Sequence, residues 1–255
     1  MGKYYLGVDL GSTTSKAVII NDQDEIVGRG ITNTRANYSV AADIARDEAI
    51  YNARFYLLKK SLGSEINEKP EYKKYLADLE SIFQYLQFKV RLDKLGDELL
   101  KTCKTYFSDI ATQDLMIDQL RKIRRSFKPK IKHDYIFNNL GSKNQFFRDI
   151  VSEKYNEEVT KLDSSLFEPL MTVWDKSITP AENEAVKFDF NTLIHSAMDM
   201  LKEKYDKLQD APQNIPVKND VAFDAEMSLL KGDFNVISES LYDRIDEVSS
   251  VQFNI

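Results

Sequence analysis

Gly7-Val8-Asp9-Leu10-Gly11-Ser12-Thr13-Thr14-Ser15-Lys16-Ala17-Val18-Ile19 sets a turn of small, hydroxyl-bearing residues between two runs of strand formers. Tyr4 to Val8 is the first apolar run and Ala17 to Ile20 the second, so Gly11 to Thr14 falls where the chain must reverse. Such a turn can present successive backbone N–H groups to an anion as a nest. The hydroxyls of Ser12, Thr13 and Thr14 add donors, and Lys16 adds positive charge. Phosphate is the natural guest. Asp9, at the end of the first strand, would repel a bare phosphate, and its place is explained if it holds Mg²⁺ through water beside phosphate oxygens. The glycine spacing is neither that of a P-loop nor that of a dinucleotide fingerprint. Both of those open a helix, whereas Ala17, Val18, Ile19 and Ile20 continue as strand. The bland alternative is an ordinary hairpin whose turn happens to be rich in hydroxyls.

Working outward, Glu25 to Thr32 alternates loosely around Ile26 and Ile31 and reads as a third strand. Asn21, Asp22, Gln23 and Asp24 separate it from the second with the residue types turns prefer, which predicts an antiparallel meander. Gly28 and Gly30 weaken the third strand and mark a bulge. Ser39 then reads as the N-cap of one long helix that Gly63 ends. After Pro70, the spacing of Tyr72, Tyr75, Leu76, Leu79, Ile82, Phe83, Leu86 and Val90 predicts an amphipathic helix with a wide apolar stripe. Helical spacing continues to about residue 230, with loops expected around Pro129 and from Ala211 to Pro216. Leu193, Ile194, Ala197, Met200, Leu201 and Tyr205 share one helix face. Asp233 reads as the N-cap of a helix through Val236, Ile237, Leu241 and Ile245, and Val251 to Ile255 alternates as a last strand.

The chain of 255 residues is long enough for a sizeable core and for two structural units. With 41 Asp and Glu against 35 Lys and Arg, its charge argues against coating nucleic acid or an anionic membrane. Its single cysteine, Cys103, rules out a disulfide within the chain, and the reducing cytoplasm is the default compartment. The amino terminus has no signal-peptide core, and no run is long enough to span a bilayer.

The hairpin sequence resembles the first phosphate motif of the acetate-kinase, Hsp70 and actin superfamily. More narrowly it is similar to the ATP-binding subunits of benzoyl-CoA reductases and the activators of 2-hydroxyacyl-CoA dehydratases. The continuation Gly28-Arg29-Gly30-Ile31-Thr32-Asn33-Thr34-Arg35-Ala36-Asn37-Tyr38, with Ala41-Ala42 and Asp47-Glu48-Ala49, resembles the larger reductase subunit, which carries a long insertion before its next strand. The match covers about the first 55 residues well and the rest mainly by layout.

The resemblance implies an α/β fold with a ribonuclease-H-like lobe of the actin and Hsp70 type. Residues 1–62 and 225–255 would form parts of that lobe, and residues 63–224 a long, mostly helical insertion. It also implies ATP and Mg²⁺ as cofactors, with Asp9 as the catalytic, magnesium-handling residue and Gly11, Ser12, Thr13, Thr14 and Lys16 as the phosphate cradle. The implied activity is ATP hydrolysis that drives low-potential electrons from ferredoxin into reductase subunits acting on an aromatic thioester. The family's [4Fe-4S] cluster is shared with a second homologous ATP-binding subunit. Its cysteines lie downstream of the strand that ends this sequence, as do the second phosphate loop and the adenosine motif. The sequence is therefore expected to be the amino-terminal part of a longer protein, inactive alone, with no nucleic-acid or membrane partner.

Two rival functions use the same hairpin. A small-molecule kinase of the N-acetylhexosamine type needs a later aspartate base, and no such motif is placeable here. A non-catalytic nucleotide-sensing scaffold would bind its partner through the helical insertion. Elsewhere the plainer readings prevail. Cys103 is expected to be a structural thiol, and His133 and His195 lack ligand spacing. The basic run Arg121, Lys122, Arg124, Arg125, Lys128, Lys130 and Lys132 has too few interleaved aromatics for nucleic acid. A solvated face, or a docking surface for an acidic subunit, is expected there. Trp174, Phe167 and Met171 fit a core or an interface patch equally well.

Overall fold

The central strand of the protein's sheet is the stretch that follows the hydroxyl-rich turn. In this computed structural model, which describes residues 3–34, 37–69, 71–138, 140–142, 146–183, 186–210 and 234–253, β2 (Thr14–Asn21) pairs antiparallel with β1 (Tyr4–Leu10) on one side and β3 (Ile26–Asn33) on the other. Lys16 stands opposite Asp9 in one pairing and Ile31 in the other. The β2–β3 turn is built by Asn21, whose Oδ1 accepts the N–H groups of Gln23 and Glu25, each at 2.9 Å. Asp24 adopts a left-handed conformation with φ 59°. About 75% of the described residues are helical, so the α/β composition takes a helix-dominated form, with one small three-stranded antiparallel sheet among them.

Helix α1 (Tyr38–Leu62) has two working faces. Ala45, Ala49 and Ala53 lie against Ala17, Ile19 and Val27 of the sheet. Tyr51, Phe55, Leu58 and Leu62 point into a separate helical core. The glycines of β3 follow from this. A Cβ on Gly28 would stand 2.1 Å from the Ala49 carbonyl, and one on Gly30 would stand 2.0 Å from the Ala45 carbonyl. Backbone therefore meets backbone at this seam. The register does slip between Ile19 and Ile20, so that Val27 is the residue skipped and the bulge lies beside Gly28. The N-cap of α1 is Asn37 and not Ser39, because the Asn37 side chain accepts the N–H groups of Ser39 (3.1 Å) and Val40 (3.4 Å). Gly63, with φ 47°, ends the helix as expected.

After the short α2 (Glu65–Glu68), helix α3 (Glu71–Tyr106) runs through two cores in turn. Its first half, with Tyr72, Tyr75, Leu76, Leu79, Ile82 and Phe83, packs with α1 and with α7 (Phe190–Asp210) and α8 (Phe234–Ser250). Its second half, from Tyr85 to Cys103, packs with α4 (Ile110–Phe137), α5 (Phe147–Val159) and α6 (Ser164–Asn183). A single turn of 3₁₀ helix, Leu140–Ser142, follows α4. Trp174 is buried here and stacks on Tyr155 at 4.2 Å between centroids. Phe167 is 40% exposed, and Met171 packs half-buried at the edge of the same core. No helix among the described residues is long and apolar enough to cross a membrane.

Two expectations give way here. Pro129 lies inside α4 and not in a loop, and α6 likewise contains Pro169 and Pro180. Each proline removes the hydrogen bond to the carbonyl four residues earlier. Those carbonyls belong to Arg125, Ser165 and Lys176, all exposed residues, so water can take them. Val251 to Phe253 form no strand. Instead Phe253 packs its ring on Tyr4, 4.9 Å between centroids. Arg54 Nη1 donates to the Val248 and Ser249 carbonyls (2.5 and 2.8 Å), and Nη2 to that of Val251 (3.2 Å). The loop expected from Ala211 to Pro216 and the cap at Asp233 lie outside the described residues.

Candidate functional site

The turn between β1 and β2 is closed by its own backbone, with the Gly11 N–H donating to the Thr14 carbonyl at 3.1 Å. It contains no left-handed residue, so it is a plain tight turn without the alternating-hand backbone of a nest. Thr34, just past β3, holds it from the side. The Thr34 N–H donates to the Thr13 carbonyl (2.8 Å), and its hydroxyl donates to the Gly11 carbonyl (2.6 Å). The Ser15 hydroxyl lies 3.1 Å from that of Thr34. These bonds occupy the carbonyls of Gly11, Thr13 and Thr14 and leave the apex at Ser12 and Thr13 open. Ser12 and Thr13 are exposed, and their N–H groups donate to none of the described residues.

Of the residues assigned from sequence, Asp9, Ser12, Thr13 and Lys16 are exposed, and Gly11 and Thr14 are half-buried at the base of the turn. Asp9 and Lys16 are cross-strand partners on the sheet face that α1 does not cover. One carboxylate and one ammonium therefore flank the apex from the same side. Gly11 is fixed by the turn itself, because a Cβ there would stand 2.8 Å from the Thr14 carbonyl.

This arrangement fits a phosphate group with a magnesium ion beside it. Uncommitted N–H groups and hydroxyls face outward, Lys16 supplies charge, and Asp9 supplies a carboxylate at the place where bare phosphate would be repelled. Magnesium bound there would neutralise charge on phosphate oxygens. Among the described residues no group of three or more His, Cys, Asp or Glu could hold a metal, so Asp9 would reach an ion through water and in company with phosphate. An iron–sulfur cluster does not fit the cysteine present. Cys103 is buried in the α3–α6 core, and burial pushes its thiol up to about 11, the opposite of a ligating thiolate.

Sequence reading missed three participants. Thr34 lies in the stretch that carries the family resemblance, but nothing in its spacing gave it a part in the turn. Glu48 and Asn52 of α1 cover the outer edge of β3. The Ile31 N–H donates to Glu48 Oε2 (3.1 Å), and Asn52 donates to the Arg29 carbonyl (2.6 Å). Their spacing of four on a helix beside an edge strand was the available clue. The basic run on α4 is largely paired. Arg124 and Lys128 reach Asp93 (3.2 and 2.8 Å), Lys122 reaches Asp118 (2.7 Å), and Lys130 reaches Glu158 (2.9 Å).

Compared with protein-family profiles, with curated proteins and with solved structures, the chain matches none.

Proposed function

We propose that the protein is the ATP-binding subunit of a benzoyl-CoA reductase type complex, coupling ATP hydrolysis to electron transfer from ferredoxin toward a partner that reduces an aromatic thioester. The observation that carries this reading is the open apex at Ser12 and Thr13, with unoccupied N–H groups beside Asp9 and Lys16. In this reading the apex and Lys16 hold ATP phosphate, and Asp9 holds Mg²⁺ through water. The sheet with α1, together with residues 225–255, forms part of a ribonuclease-H-like lobe, and residues 63–224 form its insertion. The protein works in the cytoplasm with a second homologous subunit, and the [4Fe-4S] cluster they share does not involve Cys103.

The test is calorimetric titration of Mg-ATP and of ATP with EDTA into wild type and Asp9→Asn. Binding that needs Mg²⁺ in wild type, and loses that dependence in the variant while thermal unfolding is unchanged, supports the reading. Equal affinity in both proteins with and without Mg²⁺ overturns it.

A further inference from the structure

A cavity of about 510 Å³ lies between the base of the hairpin and the helical part, within the usual size of a small-molecule site. Gln84, Gln87, Phe88 and Arg91 of α3 line one side at helical spacing, and Glu48 and Tyr51 of α1 line another. The remaining wall is rich in rings, including Tyr135, Phe147 and Phe188. The Arg91 guanidinium lies over the Phe188 ring, 5.9 Å from its centroid, and makes no hydrogen bond or ion pair among the described residues. Glu48 commits one oxygen, Oε2, to the Ile31 N–H. The two charges act on each other across the cavity without forming an ion pair. Burial raises the Glu48 carboxyl above its ordinary range and lowers the Arg91 guanidinium. Of the other acids of the cavity, Asp47 pairs with Arg46 at 2.8 Å and Glu182 with Arg148 at 3.4 Å, Glu182 also acting on Arg91 at longer range. A half-buried cation and a half-buried carboxyl thus line a shared gap, each with bonding capacity left over for a ligand that carries both complementary charges.

We propose that this cavity binds an α-amino acid with an apolar or aromatic side chain, its carboxylate on Arg91, its ammonium on Glu48 and its side chain among the surrounding rings. The planar guanidinium fork matches a carboxylate, and the free oxygen of Glu48 matches an ammonium. The pairing also excludes simpler ligands. A bare carboxylate would bring like charge to Glu48 and a bare amine would bring it to Arg91, so neither satisfies the gap. Thr14 and Thr32 also line the cavity, so the occupant would touch the base of the hairpin, away from its apex.

The experiment is titration calorimetry on the 255-residue chain with L-phenylalanine, L-leucine, 3-phenylpropionate and phenethylamine. Saturable binding of at least one of the two amino acids is expected, with each single-charge analogue of phenylalanine at least about tenfold weaker than phenylalanine itself. Arg91→Gln and Glu48→Gln should each remove the binding. Gln keeps an acceptor for the Ile31 N–H, so the Glu48 variant spares the strand edge. Should Arg91→Gln fail to fold, the analogue comparison decides the matter alone. No saturable binding of either amino acid overturns the proposal. So do an analogue that binds as well as phenylalanine, or binding that survives substitution.

Discussion

The Thr34 hydroxyl donates to the Gly11 carbonyl at 2.6 Å, tying the end of β3 to the turn between β1 and β2. Thr34→Val keeps the shape and removes the bond, together with the contact to Ser15. Stability in urea should fall by about 1 kcal/mol, and Mg-ATP affinity should fall because the turn is no longer held. Thr34→Ser should restore both. Wild-type behaviour of the Val variant in both measurements would mean that Thr34 does not order the turn.

Deep in the α1–α3–α7 core, Lys204 donates to Asp78 Oδ2 at 2.7 Å, and Tyr205 donates to the same oxygen at 2.5 Å. The side chains of Lys204 and Asp78 are only 8% and 5% exposed. Lys204 also donates to the Ile136 carbonyl in the last turn of α4 (2.7 Å), so the pair joins three helices. Asp78→Ala should cost about 3–5 kcal/mol, because it leaves a buried cation without its counter-charge. Replacing Asp78 and Lys204 together by apolar residues should recover much of that loss, as chemical denaturation of the single and double variants would measure.

Glu158 is held well below its ordinary 4.5, down to about 2, by hydrogen bonds from Lys161, Ser126 and Lys130. A carboxylate with a depressed folded-state pKa contributes stability that is present above its unfolded value and lost as pH falls toward the folded one. The stability gap between wild type and Glu158→Gln should therefore be largest at pH 5 and above and narrow steadily between about pH 4.5 and 2. Urea unfolding at a series of pH values reads this directly. A gap that stays constant down to pH 3 would contradict the assignment.

Pro129 in α4 leaves the Arg125 carbonyl without its helical partner. Pro129→Ala supplies the missing N–H at an exposed position. It should stabilise the protein by about 2 kcal/mol, the helix-interior gain of about 3 being reduced by the greater freedom of the unfolded chain. A lower midpoint in thermal unfolding would show that the proline fits its place for a reason other than tolerance.

The parts of the fold set by local chemistry were legible from the residues alone. Asn21 to Asp24 announced a turn because an Asn side chain can cap its own backbone, and it does so. The stripe from Tyr72 to Phe83 announced a helix because its period is helical, and those residues are buried. Legibility ended where distant segments decide. Pro129 reads as a break, yet the carbonyl it frees belongs to an exposed residue, Arg125, and the helix continues. Val251 to Phe253 has strand alternation, yet no neighbouring strand pairs with it among the described residues. The open turn apex was visible in its hydroxyls, whereas the Glu48–Arg91 gap needed α1 and α3 to be brought face to face across 43 residues of separate helical pattern, on the order of a whole supersecondary unit.

The Arg54 contact with the Val251 carbonyl joins residues 197 apart in sequence, and this has a consequence for the order of folding. The meander and α1 depend on neighbours close in the chain, so they can form within the first stretch to be synthesised. The Arg54 fork must wait until α8 has been made and has docked. Closing so long a loop before its helices pack would cost entropy with no contacts to offset it. The clasp therefore belongs late in folding, and replacing Arg54 should speed unfolding far more than it slows folding.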